Sequence, residues 1–385
     1  MRTELRDNIL AFWLRLEDPL HGGHFAGMDL AGRIDRRAPK STVFVSRLLW
    51  TLSSVAGVFE REVCLAQAAH TRRFLLDRLR DAQDGAFFWS ATREGRPLQT
   101  DKHLYAQAFA IYALSAHARA TGDEKSLAAA KNLFALIEAR AREKGAGYGE
   151  AFDSRWRPID NSRLGCRVIG ARTSNSHLHL IEAYTGLLRA WPDAAPRGAL
   201  GSLLRLFVER FLAGNGTHTH SYLDSRLRPL PGPISYGHDI EASWLLTDAV
   251  DSLGETELAA RLIPVARALA EAAAAEGQGE DGGWMAERTS RGAPNAYRVW
   301  WVQAEAVVGL VNAAILDGDP RMMARAEATW AFINHAQIDR AGGEWYHSVD
   351  RQGRPDPKQV KVSPWKEPYH QARACLEIMR RAAEA

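Results

Sequence analysis

The sequence predicts an all-α fold, a closed ring of helix hairpins, and two observations carry that prediction. A Gly-plus-aromatic loop recurs about six times at spacings of roughly 60 residues, and an apolar helix signature follows each one. Each unit of roughly 60 residues has room for two helices and a turn, so six units give about twelve helices. Strand signal is thin, and only short hairpins are expected, in the Gly-aromatic loops.

The elements follow in order. The opening stretch, MRTELRDNILAFW, is an amphipathic helix carrying acids and does not read as a signal peptide. The first loop is Gly22-Gly23-His24-Phe25, and in the helix after it Arg47 precedes Leu48-Leu49-Trp50. The second loop, Gly85-Ala86-Phe87-Phe88-Trp89, leads to apolar residues at helical spacing: Leu104, Ala108, Ile111, Tyr112 and Leu114. The third is Gly145-Ala146-Gly147-Tyr148; the polar set Asn175, His177 and His179 then precedes Leu180-Ile181. Asn215-Gly216 with Tyr222 forms the fourth, before a helix patterned by Ile240, Trp244, Leu245 and Ala249. Gly282-Gly283-Trp284 is the fifth, followed by Trp301, Gln303 and Glu305 ahead of Ala306-Val307-Val308. The sixth, Gly342-Gly343-Glu344-Trp345-Tyr346, leads to a last helix whose start is flanked by His370 and Arg373. Thr121-Gly122-Asp123-Glu124, Leu253-Gly254-Glu255 and Asp317-Gly318-Asp319-Pro320 read as helix stops followed by new starts. No Pro/Ser-rich linker or charge block interrupts the repeat, so one domain over residues 1–385 is expected.

Bulk properties exclude several classes of function. The formal net charge is +3 over 385 residues, with no basic stripe for nucleic acid. No run of about 18 apolar residues suggests a membrane span. Cys64, Cys166 and Cys375 are odd in number and lack paired spacing, which fits a reducing, cytoplasmic setting; Cys64 and Cys375 read as small core residues.

In every repeat the polar residues cluster at the front of the helix and the apolar body follows. If six such helices surround one axis, all six polar sets lie at the same mouth and line one pocket. The candidates are His179, His238 and His370 with Arg47, Tyr105, Asn175, Glu241, Glu305, Trp301 and Trp365. No nucleophile elbow, dinucleotide fingerprint or P-loop is present. Two histidines two apart on a helix face different sides, which makes His177 and His179 a poor metal pair; His218 and His220 lie in a loop and have metal-ligand chemistry, but read first as solvated histidines. No metal and no cofactor is expected. Histidine suits proton transfer near neutral pH. Glu241 follows His238 by three residues, a spacing that lets the carboxylate face the imidazole. Arg47 offers a fixed cation for an oxyanion formed beside a carbonyl. Trp301 and Trp365 suit the apolar faces of sugar rings.

Four segments carry a family resemblance. Ser235-Tyr236-Gly237-His238-Asp239-Ile240-Glu241-Ala242-Ser243-Trp244 resembles the signature of cellobiose 2-epimerases, within the N-acylglucosamine 2-epimerase superfamily. Asn175-Ser176-His177-Leu178-His179, Trp300-Trp301-Val302-Gln303-Ala304-Glu305 and Trp365-Lys366-Glu367-Pro368-Tyr369-His370 are similar to further segments of that family, in the same order. Val302 and Glu367 stand where many relatives carry Pro and Cys.

The resemblance implies an (α/α)6 barrel with short β-hairpin loops at one mouth. It implies reversible inversion at C2 of a reducing-end glucose or mannose unit, without metal or nucleotide. By motif position, His238 and His370 would be the acid/base pair, Glu241 would support His238, and Arg47 would hold the enediolate oxygens. Asn175, His179 and Tyr105 would position the open-chain sugar; Trp301 and Trp365 would touch its rings. The partner would be a small sugar, a β-1,4 disaccharide or a free hexose, with the chain a monomer or weak homodimer. An aldose–ketose isomerase acting on mannose is the nearest alternative, since it shares the first proton abstraction. A glycoside hydrolase would need two carboxylates across the scissile bond and would leave the histidines unused. A sugar-binding protein would tolerate their loss.

Overall fold

The computed structural model describes residues 1–289 and 297–384. The chain is mostly helical. A π-helical stretch, Glu4–Leu10, runs into α1 (Ala11–Leu14). Then come α2 (Thr42–Val55), α3 (Arg61–Phe74), α4 (Leu104–Thr121), α5 (Glu124–Arg140), α6 (Ser174–Ala190) and α7 (Ala194–Leu206). The series ends with α8 (Tyr236–Leu253), α9 (Thr256–Gly277), α10 (Trp300–Asp317), α11 (Pro320–Phe332) and α12 (Tyr369–Glu384).

The even-numbered helices pack each on the next, and α12 packs back on α2. Composition explains the division of labour. In α4, nearly every residue from Leu104 to Ala118 is buried, small and apolar residues covering all sides. Its successor α5 buries one stripe, Ser126, Ala130, Leu133, Phe134 and Ile137, and keeps its Lys and Glu residues outward. A helix apolar all round is enclosed by neighbours, whereas an amphipathic one has a single partner face.

The stop signals act as read. Gly122, Gly254 and Gly318 close α4, α8 and α10 in the left-handed conformation. Asp123 and Asp319 then cap the helices that follow. The three cysteines are free and buried.

The strands differ from local hairpins confined to the loops: most of them join neighbouring repeats. The two residues ahead of an even-numbered helix pair antiparallel with the segment that follows the next Gly-aromatic loop. Lys40–Ser41 pairs with Ser90–Ala91, Lys102–His103 with Ala151–Phe152, Arg172–Thr173 with Tyr222–Leu223, and Arg298–Val299 with Ser348–Val349. Single bridges do the same between Ile234 and Arg288 and between Val362 and Met28, the last linking the sixth unit to the first. Backbone groups at the helix entrances are thereby satisfied by the adjacent unit.

The loops are also held from the helices. The fourth residue of α4, α6, α8 and α10 reaches the preceding Gly-aromatic loop rather than a common axis. Gln107 both accepts from and donates to the Phe87 backbone, Gln303 does so at Trp284, His177 accepts from Tyr148 N, and Asp239 accepts from Thr219 N. At Gly282 (φ 80°) a Cβ would lie 2.4 Å from the Ala328 carbonyl oxygen, so only glycine lets the fifth loop pass α11.

No helix among the described residues is long and apolar enough to cross a membrane.

Candidate active site

A cavity of about 260 Å³ is lined by Arg47, Tyr105, Asn175, His179, His238, Glu241, Trp301, Trp365 and His370, together with Val299, Trp300 and His347. Nine of the ten residues singled out from sequence thus share one pocket. The tenth, Glu305, is fully buried behind it, bonded to His370.

Helix geometry explains which polar residues arrive. Tyr105, Asn175, Trp301 and His370 are each the second residue of an even-numbered helix; Arg47, His179, Glu241 and Glu305 are each the sixth. Four residues make about one helical turn, so the second and sixth share a face and the fourth points away. His238 is the third residue of its helix. The second is Gly237, where a Cβ would lie 2.4 Å from the Trp301 ring. The missing side chain makes room for Trp301, whose ring centre lies 4.9 Å from His238 and 5.6 Å from His370. The indole therefore contacts both imidazoles.

Behind the pocket lies an ion network built on Arg373, which is 1 % exposed. Its guanidinium bonds Glu182, Glu241 and the Tyr369 hydroxyl, and lies 2.8 Å from Glu305 Oε1. Glu182 in turn takes His179 Nδ1 at 2.9 Å, and Glu305 takes His370 Nδ1 at 2.7 Å and the Trp244 indole N–H at 3.0 Å. Two pocket imidazoles are thus oriented by carboxylates that one arginine holds. Glu241, Glu305 and His370 present ligand-type atoms within 4.8 Å of one another, and the Arg373 cation already serves both carboxylates.

Two expectations from sequence are corrected. Glu241 does not support His238. Its Oε1 bonds Arg373, and its unpartnered Oε2 lies 4.0 Å from His179 Nε2. His238 Nδ1 instead meets the Ser235 hydroxyl at 2.7 Å. A buried guanidinium attracts the carboxylate more strongly than a neutral imidazole one turn away. The second correction concerns His218, which is buried between Asp239 (2.9 Å) and Glu276 (3.2 Å) rather than solvated, and ties its loop to the start of α8.

Glu367, noted in the sequence only as a departure from relatives, belongs to the site. It is 0 % exposed, and its Oε1 takes Arg47 Nη1 at 2.6 Å while Arg47 Nη2 donates to the Tyr105 hydroxyl at 2.7 Å. Arg47 enters the pocket already paired. The position of Glu367 within the motif that carries His370 was the available signal. Arg373 was signalled by its spacing four residues after Tyr369 on one helix face.

Burial sets the charge states. It pushes the His238 pKa down to about 3, with His179 adding to the effect. His370 lies well below the usual histidine value through burial and the nearby Arg47 and Arg373, and His179 is also lowered, by burial first. All three imidazoles are neutral near pH 7. Against the upward push of burial, Arg373 and His179 pull Glu182 down to about 2. Glu241 and Glu305 go the other way: burial raises both, and for Glu241 the neighbouring Glu305 charge adds to it.

Neutral imidazoles in an aromatic-walled polar pocket, backed by a fixed cation and carboxylates, define an acid–base enzyme of sugars, a carbohydrate epimerase. The chain belongs to the N-acylglucosamine 2-epimerase family, whose model matches residues 23–374. It is similar to the cellobiose 2-epimerase of Bacteroides fragilis, 37% identical over 383 residues and covering 98% of this chain and 97% of that protein. The cellobiose 2-epimerase of Ruminococcus albus is 36% identical, covering 100% and 98%. Among solved structures, the cellobiose 2-epimerase of Bacillus thermoamylovorans superposes with a TM-score of 0.93 at 35% identity, covering 99% of this chain and 98% of that one.

Proposed function

We propose that this enzyme inverts C2 of the reducing-end unit of cellobiose or a related β-1,4 disaccharide, working on an (α/α)6 barrel that spans residues 1–385 as one catalytic domain. The observation that carries the reading is the placement of both His238 and His370 against Trp301 in one pocket.

C2–H is acidic only in the open-chain aldehyde, so ring opening comes first. One imidazole then takes the C2 proton, and the electron pair moves into an enediolate. Arg47 and the Tyr105 hydroxyl stabilise its oxygens. The second imidazole gives a proton to the opposite face of C2, which inverts the centre. That imidazole must be charged before it delivers. For His370, the Glu305 carboxyl 2.7 Å from Nδ1 stabilises the charged form. Arg373 provides the fixed positive charge that a metal would otherwise bring, and the reaction runs without one.

Asn175 Oδ1 lacks a protein partner, as a group reserved for a sugar hydroxyl would. The cavity of about 260 Å³ is below the usual ligand-pocket range of roughly 300–1,000 Å³ and suits a single sugar unit. A second ring would lie outside on Trp365, 38 % exposed at the mouth with Trp89 5.7 Å away. Three unpaired cysteines support a reducing, cytoplasmic setting.

The test is incubation with cellobiose, and separately with mannose, in D2O followed by proton NMR. Glucosylmannose carrying deuterium at C2 is the expected product. A ketose as sole product would move the assignment to an aldose–ketose isomerase, and turnover of mannose alone would remove the disaccharide.

A further inference from the structure

A second cavity, larger than the sugar pocket, lies elsewhere among the described residues. It is a basin of about 870 Å³ at the other end of the same helices, reached from the C-terminal turns of α2, α4, α6 and α12. Four arginines border it, against two carboxylates. Two of the arginines are neutralised: Arg189 by Asp248 at 2.8 Å, and Arg380 by Glu377 at 2.9 Å. The other two are not. Arg119 has no partner among the described residues, and the Arg61 guanidinium meets only the Ala120 carbonyl, at 3.2 Å. That contact brings Arg61 to the end of α4, which also carries Arg119.

Helix electrostatics account for Arg119 but not for Arg61. A cation in the last turn of α4 complements the helix dipole. Arg61 is the first residue of α3, where the dipole disfavours a cation, and it follows Glu60, held in the left-handed region at φ 43°. The basin also contains an unused polar group: Ser53, 2 % exposed, lines it with a hydroxyl that has no hydrogen-bond partner.

We infer that this basin is a second ligand site, for a small phosphate-bearing molecule. Two uncompensated guanidinium groups at one rim match the planar, multidentate recognition of phosphate oxygens, and the Ser53 hydroxyl offers a further donor deeper in. The site does not overlap the sugar pocket. It is one aromatic contact from the ion network behind that pocket, because Trp50 in the basin meets Tyr369 edge-on at 5.1 Å and Tyr369 bonds Arg373.

The experiment is calorimetric titration of the intact protein, in chloride buffer, with inorganic phosphate, mannose 6-phosphate and mannose. The wild type is expected to bind both phosphate compounds saturably, with affinity unchanged by saturating cellobiose. The double variant R61A/R119A, altered at exposed positions only, is expected to weaken binding by about tenfold or more. Tighter binding of mannose 6-phosphate than of phosphate identifies a phosphorylated sugar as the occupant, and equal binding identifies the free anion. The inference is overturned by the absence of saturable binding of either phosphate compound, by undiminished binding in the double variant, or by displacement with cellobiose.

Discussion

At the residue scale, two imidazoles and one ion pair bear most directly on the proposed chemistry. His238→Asn and His370→Asn each remove one proposed proton carrier while keeping a polar side chain of smaller size. Each is expected to lower kcat for C2 inversion by roughly 10²–10⁴-fold, the range for loss of a general acid or base. Retention of full inversion in either variant would sink the two-base mechanism. Glu367 allows a sharper test. Glu367→Gln keeps a hydrogen-bond acceptor for Arg47 and removes the charge, leaving the guanidinium freer to act on a developing oxyanion; activity is expected to stay within about tenfold of wild type. Glu367→Leu leaves a buried arginine uncompensated and is expected to cost about 3–5 kcal/mol of stability, read from chemical denaturation. The sequence disclosed that Arg47 and the histidines belong to one mouth, because each stands at the front of an apolar helix. It did not disclose what those groups touch. The spacing of Glu241 from His238 predicts a local pair, yet Arg373 arrives from another helix and takes the carboxylate. Contacts of that kind depend on how six helices are placed in space, and no single helix encodes them.

At the scale of elements, one helical turn decides what is function and what is scaffold. The polar starts read alike in sequence, but the second and sixth residues enter the pocket while the fourth clamps a loop. Gln107, Gln303 and His177 therefore hold backbone. Gln107→Leu strands the buried Phe87 N–H and C=O together, and a loss of roughly 1–3 kcal/mol per stranded group is expected in urea unfolding. A loss confined to activity would show that the clamp is not structural. Gly237→Ala probes the opposite class. Its Cβ would collide with Trp301, so kcat/KM is expected to fall by about 10–100-fold through a displaced ring, the scale of a small misplacement at a reacting centre. The helix stops and starts were legible because glycine and aspartate act locally at helix ends. The strand pairing between neighbouring repeats was not, because two-residue strands leave no alternating pattern to read.

At the scale of the whole molecule, buried neutral histidines set the response to acid. His24 is fully buried, and its pKa is lowered to about 4 by burial; His238 is lowered to about 3. The unfolded chain binds these protons near the ordinary histidine value of about 6.5, while the folded chain does not. Stability from these groups is therefore intact above about pH 6.5 and declines as pH falls through that value toward their folded pKa values, by at most about 1.4 kcal/mol per pH unit for each histidine. His218 has the opposite sign. Its pKa is raised by its bond to Asp239, with Glu276 contributing, so its stabilisation is complete below about 6.5 and is lost as pH rises through the folded value. Calorimetry between pH 4.5 and 7.5 is expected to show a melting temperature that falls on the acid side, and His24→Gln should reduce the slope. An acid-insensitive melting temperature would contradict the buried neutral state.

The bridge between Val362 and Met28 has a consequence for the order in which the molecule is made. The first unit cannot complete its edge until the sixth is present, and the N-terminal helix depends on the same late partner through Trp13 with Glu344 and Trp345 with Glu4. His370 and Arg373 lie on α12, which is synthesised after α1 to α11. A nascent chain that has already produced α2 to α10 therefore lacks one of the two proposed proton carriers and the cation that arranges three carboxylates. Eleven helices are thus synthesised before the one that brings the buried cation to its three carboxylates.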